Sequence, residues 1–197
     1  SHYKNYPPLW HSSILIPLGF VTYLNMETQE IKITNVCNLT IREAKESDSD
    51  QIHQLLMDLA VFEKIEHTVE ATKECTHSAL FGVSPSVEAI VAESDNYIVG
   101  AGIYFHNYST FVGKKGLYLE DIYVRPEYRG KEIGRKMLFR LAKIAEERDC
   151  GRMEWTVLDW NDRAINFYNE MGAEILNEWK IVRLDALGIQ SLSHKAQ

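Results

Sequence analysis

LYLEDIYVRPEYRGKEIGRKM, residues 117–137, decides how this chain folds. Leu117, Leu119, Ile122 and Val124 make an apolar strand that ends at Arg125-Pro126. The segment Tyr128-Arg129-Gly130-Lys131-Glu132-Ile133-Gly134 then opens a helix whose apolar face is Ile133, Met137, Leu138, Leu141, Ala142, Ile144 and Ala145. A strand, a glycine-containing turn and a helix, in that order, leave backbone N–H groups free at the helix start, which makes an anion site. Arg129, Lys131, Arg135 and Lys136 add positive charge, so a phosphate or pyrophosphate is expected there. An ordinary strand–loop–helix with a solvated basic rim would use the same residues, and both readings stand at this level. Nucleotide motifs fit poorly. Gly130 and Gly134 stand too close for a Walker-type phosphate loop, Met137 follows Lys136 where Ser or Thr is needed, and no GxGxxG triplet occurs.

Working outward, residues 38–43 read as a first strand and 47–64 as a helix capped by Ser47 or Asp48, with Ile52, Leu55, Leu56, Leu59 and Ala60 on one face. Residues 72–81 read as a second helix stopped near Gly82. Residues 87–93 and 97–105 read as strands joined by a turn at Ser94-Asp95-Asn96. Residues 106–116 are polar and read as a loop, 153–158 as a strand, 162–171 as a short helix ended by Gly172, and 179–184 as a final strand. Strands with helices set between them give a mixed α/β sheet wrapped by helices. Residues 39–185 form the expected domain, 186–197 a tail, and 1–38 an extension outside the core, with Met26 a candidate start. The apolar run 14–24 is broken by Pro17 and Gly19 and is far short of the ~20 residues a membrane helix needs.

The 197 residues are 45% hydrophobic and 25% charged, which suits a globular chain. A net charge of -7 argues against a nucleic-acid partner and fits a cationic small substrate. Cys37, Cys75 and Cys150 are scattered and without metal spacing, which points to a reducing, cytoplasmic setting. The histidines show no metal spacing either, so no metal is assigned, and the short, broken run 14–24 assigns no membrane partner.

Several motifs in one order carry a resemblance. They are the loop Arg129-Gly130-Lys131-Glu132-Ile133-Gly134, the strand Tyr118-Leu119-Glu120-Asp121, the turn Asp159-Trp160-Asn161, and Ala164-Ile165-Asn166-Phe167-Tyr168-Asn169-Glu170-Met171-Gly172-Ala173. The region 39–185 resembles the GCN5-related N-acetyltransferase (GNAT) superfamily, within it the diamine (spermidine/spermine) acetyltransferase group. Ser109-Thr110 and Leu158-Asp159 are similar to the branch that acetylates the side-chain amine of thialysine; the polyamine-selective branch is expected to be acidic near Ser109. The resemblance implies an α/β (α+β) fold with a mixed, mostly antiparallel, twisted sheet, splayed at the cofactor strand and flanked by helices. It also implies acetyl-CoA as co-substrate, a small-molecule amine as acceptor, and a homodimer with the C-terminal strand near the partner. One departure stands out: the family loop reads R/Q-x-x-G-x-G/A, and Glu132 replaces its first glycine. A carboxylate beside a pyrophosphate is unfavourable unless it points outward and pairs with a base such as Lys131 or Lys136.

Acetyl transfer requires a neutral amine and stabilisation of the charge that develops on the thioester oxygen. A lysine-like ammonium has a pKa of about 10.4, so neutralising it at pH 7 costs roughly 4–5 kcal/mol. Glu120, on the strand feeding the anion loop, is the candidate base, and alternation sends adjacent Asp121 to the opposite face. Tyr168 matches the family's general acid for the departing sulfur. With a phenol pKa of about 10 and a thiol pKa of about 8.5, that transfer is uphill by about 2 kcal/mol. The resemblance places Ile122, Tyr123 and Val124 along the pantetheine arm, and Arg129 to Arg135 (Gly130, Lys131, Glu132, Ile133 and Gly134 included) around the diphosphate. Asn161, with Ala164, either caps the following helix or reaches pantetheine. Glu63, Glu120, Asp121 and Trp179 are the expected substrate contacts, each with a plain surface or core role as the competing reading. Competing activities are a non-catalytic acyl-CoA sensor, suggested by Glu132, and an acetyltransferase for protein lysines or N-termini.

Overall fold

The structure, a computed structural model, describes residues 38–196. The readings made on residues 1–37, including the 14–24 run, Met26 and Cys37, lie outside the described residues. Five strands form one sheet in sequence order: β1 (Thr40–Glu43), β2 (Glu88–Ser94), β3 (Tyr97–Ser109), β4 (Lys114–Val124) and β5 (Met153–Glu154). The first four pair antiparallel, and β5 lies parallel to β4. Around them run α1 (Ser49–Glu63), α2 (Lys73–Phe81), α3 (Ile133–Glu147), α4 (Asp162–Glu170) and α5 (Ala186–Ser193). This is the mixed, mostly antiparallel α/β sheet expected.

The sheet is buried on both faces, which is why β2 and β3 read as continuous apolar runs. Ile90, Ala92 and Val99 pack with Met137, Leu141 and Ile144 of α3 on one face. Val91, Ala101 and Ile103 pack with Ile52 and Leu55 of α1 and Leu80 of α2 on the other. Close approach of α3 depends on Gly100, where a β-carbon would stand 2.9 Å from the Tyr123 carbonyl oxygen and 3.2 Å from Met137 Sδ. The β2–β3 turn places Asp95 and Asn96 at φ 51° and 64°, the left-handed pair that a tight hairpin needs and that Asp and Asn tolerate.

The site is positioned by a bulge in β4. Leu119 pairs with Tyr104 and Asp121 with Ile103, so Glu120 is an extra residue without a cross-strand partner. Leu117 and Leu119 before the bulge, and Ile122 and Val124 after it, all face α3, while Tyr123 joins the core beside α1.

Four sequence expectations are corrected. Residues 106–116 are not a loop: β3 continues to Ser109 and β4 begins at Lys114, with Gly113 N–H bonded to Ser109 O at 2.8 Å. Its polar side chains are engaged within the hairpin and with β5, His106 Nδ1 with Gly116 O at 3.0 Å and Asn107 Nδ2 with Glu154 Oε2 at 3.1 Å. The strand at 153–158 pairs only through Glu154 and then leaves the sheet. Residues 179–184 form no strand among the described residues; Asp185 then caps α5 by accepting from Gly188 N–H at 2.7 Å. Asp48 precedes α1 but makes no side-chain cap. Its carboxylate accepts instead from Lys45 N–H at 2.7 Å and Arg42 Nη1 at 2.6 Å, tying β1 to the helix. Thr72 does cap α2, accepting from Cys75 N–H at 3.3 Å.

Candidate active site

Where β4 and the chain after β5 part, a cleft opens. Leu117 and Tyr118 pair with Met153 and Glu154, but from Leu119 onward β4 has no strand on that side among the described residues. The divergence opens a cavity of about 400 Å³, closed by the C-terminal turn of α1, the 128–134 loop and one face of α4. Trp155, just past the last paired residue, forms part of its wall.

One end of the cavity is built for an anion. The first intrahelical bond of α3 is Lys136 N–H to Glu132 O at 3.0 Å. The amides of Ile133, Gly134 and Arg135 therefore precede the helix ladder and remain donors at the positive end of the helix dipole. Gly130, at φ 75°, turns the chain into this cradle, and nothing lies within 4 Å of a β-carbon placed there or at Gly134. That open ground lets a diphosphate approach the backbone, so the residues fit the acetyl-CoA that the family uses. Arg129 is tied down: its Nε donates to Val124 O at 2.8 Å, and its guanidinium lies 4.9 Å from the Phe62 ring and 5.1 Å from the Tyr123 ring. It braces α1 against the end of β4.

The other end is built for a cation. Glu63, Glu120 and Asp121 all line the cavity, and none forms an ion pair or hydrogen bond among the described residues. Burial, reinforced by Glu120 and Glu63, pushes the Asp121 carboxyl up to about 6, and burial also raises Glu63. Glu63 is the last residue of α1, so the negative end of that helix dipole adds to the field. The expectation that Asp121 faces away from Glu120 is corrected. The bulge breaks strand alternation, and both carboxylates reach the same cavity.

Tyr168 lies between these ends. It is 7% exposed, packs edge-on against Trp155 at 5.2 Å, and lines the cavity. Burial, then the charge of Glu63, raises its phenol above the usual range. Asn161 caps α4, its Oδ1 accepting from Ala164 N–H at 3.2 Å, so that amide is committed to the cap. Both residues still line the cavity, as do Ile122, Tyr123, Val124, Ile133 and Arg135.

Two expected site residues stand elsewhere. Lys131 is outside the cavity wall, its ammonium 5.3 Å from the Tyr128 ring. Trp179, 75% exposed, is outside it too. Ser109 is buried at the hairpin turn, where its Oγ accepts from Val112 N–H at 3.2 Å. Glu132 pairs with neither Lys131 nor Lys136 in an ion pair; its partner is Arg135, Nε to Oε1 at 3.3 Å. Phe62 was missed by the sequence reading, although it extends the apolar stripe Leu55-Leu59 of α1 by one further turn.

The splayed sheet and the cleft it opens, with an anion cradle at the start of α3, are the architecture of an acyltransferase. Residues 49–173 match the acetyltransferase (GNAT) family, and the chain belongs to it. A thialysine N-epsilon-acetyltransferase from Mus musculus is 38% identical over 164 residues, covering 78% of this chain and 96% of the relative. An L-ornithine N5-acetyltransferase from Arabidopsis thaliana is 34% identical, covering 77% of this chain and 86% of the relative. Among solved structures, an integron cassette protein from the mobile metagenome of V. cholerae superposes with a TM-score of 0.66 at 23% identity, covering 79% of this chain and 97% of that one, a likeness of fold. The protein is thus an enzyme of the N-acetyltransferase class.

Proposed function

We infer that this enzyme transfers the acetyl group of acetyl-CoA to a primary amine of a small cationic substrate, a thialysine-, lysine- or ornithine-like amino acid or a diamine. The observation that carries the reading is the convergence of Glu63, Glu120 and Asp121, with no ion pair to any of them among the described residues, in the cavity that also holds Tyr168. The unpaired, partly buried carboxylates of Glu63 and Asp121 are costly, and a cationic ligand removes that cost. The names of the relatives, which act on thialysine and ornithine, support the same acceptor class.

When bound, acetyl-CoA supplies an activated thioester carbonyl, and the chain's residues supply the rest. Glu63 and Asp121 hold the incoming ammonium, and Glu120 takes its proton, directly or through water. The free amine attacks the carbonyl carbon in a ternary complex, the C–N bond forms, the C–S bond breaks, and the nitrogen's second proton leaves to the Tyr168 phenolate or to water. Tyr168 Oη–H gives its proton to the departing sulfur. Because burial raises that phenol, the proton moves as the thiolate develops rather than ahead of it.

The homodimer implied by the resemblance draws support from a run of exposed apolar side chains, Trp179, Ile181, Val182, Leu184, Leu187 and Ile189. Cytoplasmic residence draws on Cys75 and Cys150, both free thiols. Among the described residues no helix is long and apolar enough to cross a membrane. Thiol release from acetyl-CoA, followed across a panel of thialysine, lysine, ornithine and spermidine, tests the proposal. Turnover should be fastest with thialysine and slower with the others. Binding of acetyl-CoA without turnover of any amine would leave only an acyl-CoA sensor.

A further inference from the structure

Resting on the acetyl-CoA reading, we propose that Glu132 is a tethered competitor of the cofactor's diphosphate, built into the anion loop and held there by Arg135. Glu132 sits where the family loop carries glycine, and its backbone has the glycine conformation, φ 61° and ψ 12°, although its side chain is not suited to it. The residue is the N-cap of α3 but makes no side-chain cap bond. Its carboxylate lies 3.3 Å from Arg135 Nε. Arg135 in turn reaches Glu170 of α4, Nη2 to Oε2 at 3.6 Å, and lies 5.8 Å from the Phe167 ring.

Two of the arginines nearest the cradle are already engaged. Arg129 is fixed by the Val124 carbonyl and two aromatic faces, and Arg135 is shared between two carboxylates. The cradle presents the amides of Ile133, Gly134 and Arg135, and Glu132 brings a negative charge to the same helix end. A diphosphate entering there competes with Glu132 for Arg135 and for the helix dipole. The bridge to Glu170 also links the loop to the helix bearing Tyr168, so the diphosphate meets a latched Arg135 rather than an open one.

Calorimetric titration with coenzyme A, which needs no turnover, tests this. Glu132→Gln keeps the side-chain size and the backbone conformation and removes only the charge; it should tighten coenzyme A by about two- to fivefold. Glu132→Gly removes the conformational misfit as well and should tighten binding at least as much. Both gains should shrink in high salt, since the carboxylate is 67% exposed and its field is screened. Glu147→Gln, at the opposite end of α3, should leave affinity unchanged. Unchanged or weaker binding by Glu132→Gln, with the wild type binding normally, overturns the competitor role alone. No binding by wild type or either Glu132 variant overturns the cofactor reading together with it.

Discussion

Replacing Asp121 with Asn should stabilise the enzyme at neutral pH while removing its hold on the amine. The Asp121 carboxyl is pushed from 3.8 to about 6 by burial and by the charges of Glu120 and Glu63, and it has no hydrogen-bond partner that Asn would lose. Between those two values the folded protein keeps a proton that the unfolded chain has released. Stability contributed by this group is therefore full below about pH 4, falls as pH rises to about 6, and stays low above it. At ~1.4 kcal/mol per pH unit, the ionised fold carries a cost of about 3 kcal/mol. The stability gap between Asp121→Asn and wild type should thus be about 2 kcal/mol larger at pH 8 than at pH 4, where the unfolded carboxyl is already partly ionised. The interaction with Glu120 and Glu63 is part of that gap, while groups that do not act on Asp121 contribute alike in both proteins and cancel. Chemical denaturation at the two pH values measures the gap; by melting temperature it amounts to about 2–4 °C per kcal/mol in a domain of this size. The same variant should show a higher KM for the amine and an unchanged Kd for coenzyme A. An equal gap at both pH values would falsify the claim that Asp121 is held unpaired for a cation.

Tyr168→Phe should lose about 10²–10⁴ in kcat with little change in stability, because the phenol oxygen has no hydrogen-bond partner among the described residues; near-normal turnover would leave Tyr168 as packing against Trp155. Glu120→Gln should raise the pH needed for activity, and a pH–rate profile identical to the wild type would assign the base elsewhere. Gly100→Ala should destabilise by about 1–3 kcal/mol, since its methyl would press on the Tyr123 carbonyl and Met137. A denaturation midpoint matching the wild type would mean that α3 has slack against β3.

Much of this was legible in the chain, and the failures have physical causes. The apolar face of α3 follows from its period, and the start and stop of α2 from Thr72 and Gly82. The bulge was also written there and went unread. Leu117 and Leu119 are followed by Ile122 and Val124, so the apolar positions switch from odd to even between 119 and 122. A strand cannot do that and keep one face to the core unless a residue is inserted. Strict alternation therefore separated Glu120 from Asp121, and the fold reunites them. The 106–116 hairpin hid behind polar side chains, because ladder bonds use only the backbone. Residues 179–184 show the reverse error: apolar side chains suit a strand, but a strand exists only by pairing, and these residues pair with no edge of the sheet. Arg129 could be assigned to the loop from its position, but not its direction, which is set by Val124, Phe62 and Tyr123.

The central claim is that coenzyme A lies in the gap between β4 and the chain after β5, with its diphosphate on the α3 amides. Backbone amide chemical shifts followed during titration with coenzyme A test that most directly. The largest changes should fall at Ile133, Gly134 and Arg135, with a second group at Ile122 to Val124. Changes centred elsewhere, with those amides unmoved at saturation, would contradict it.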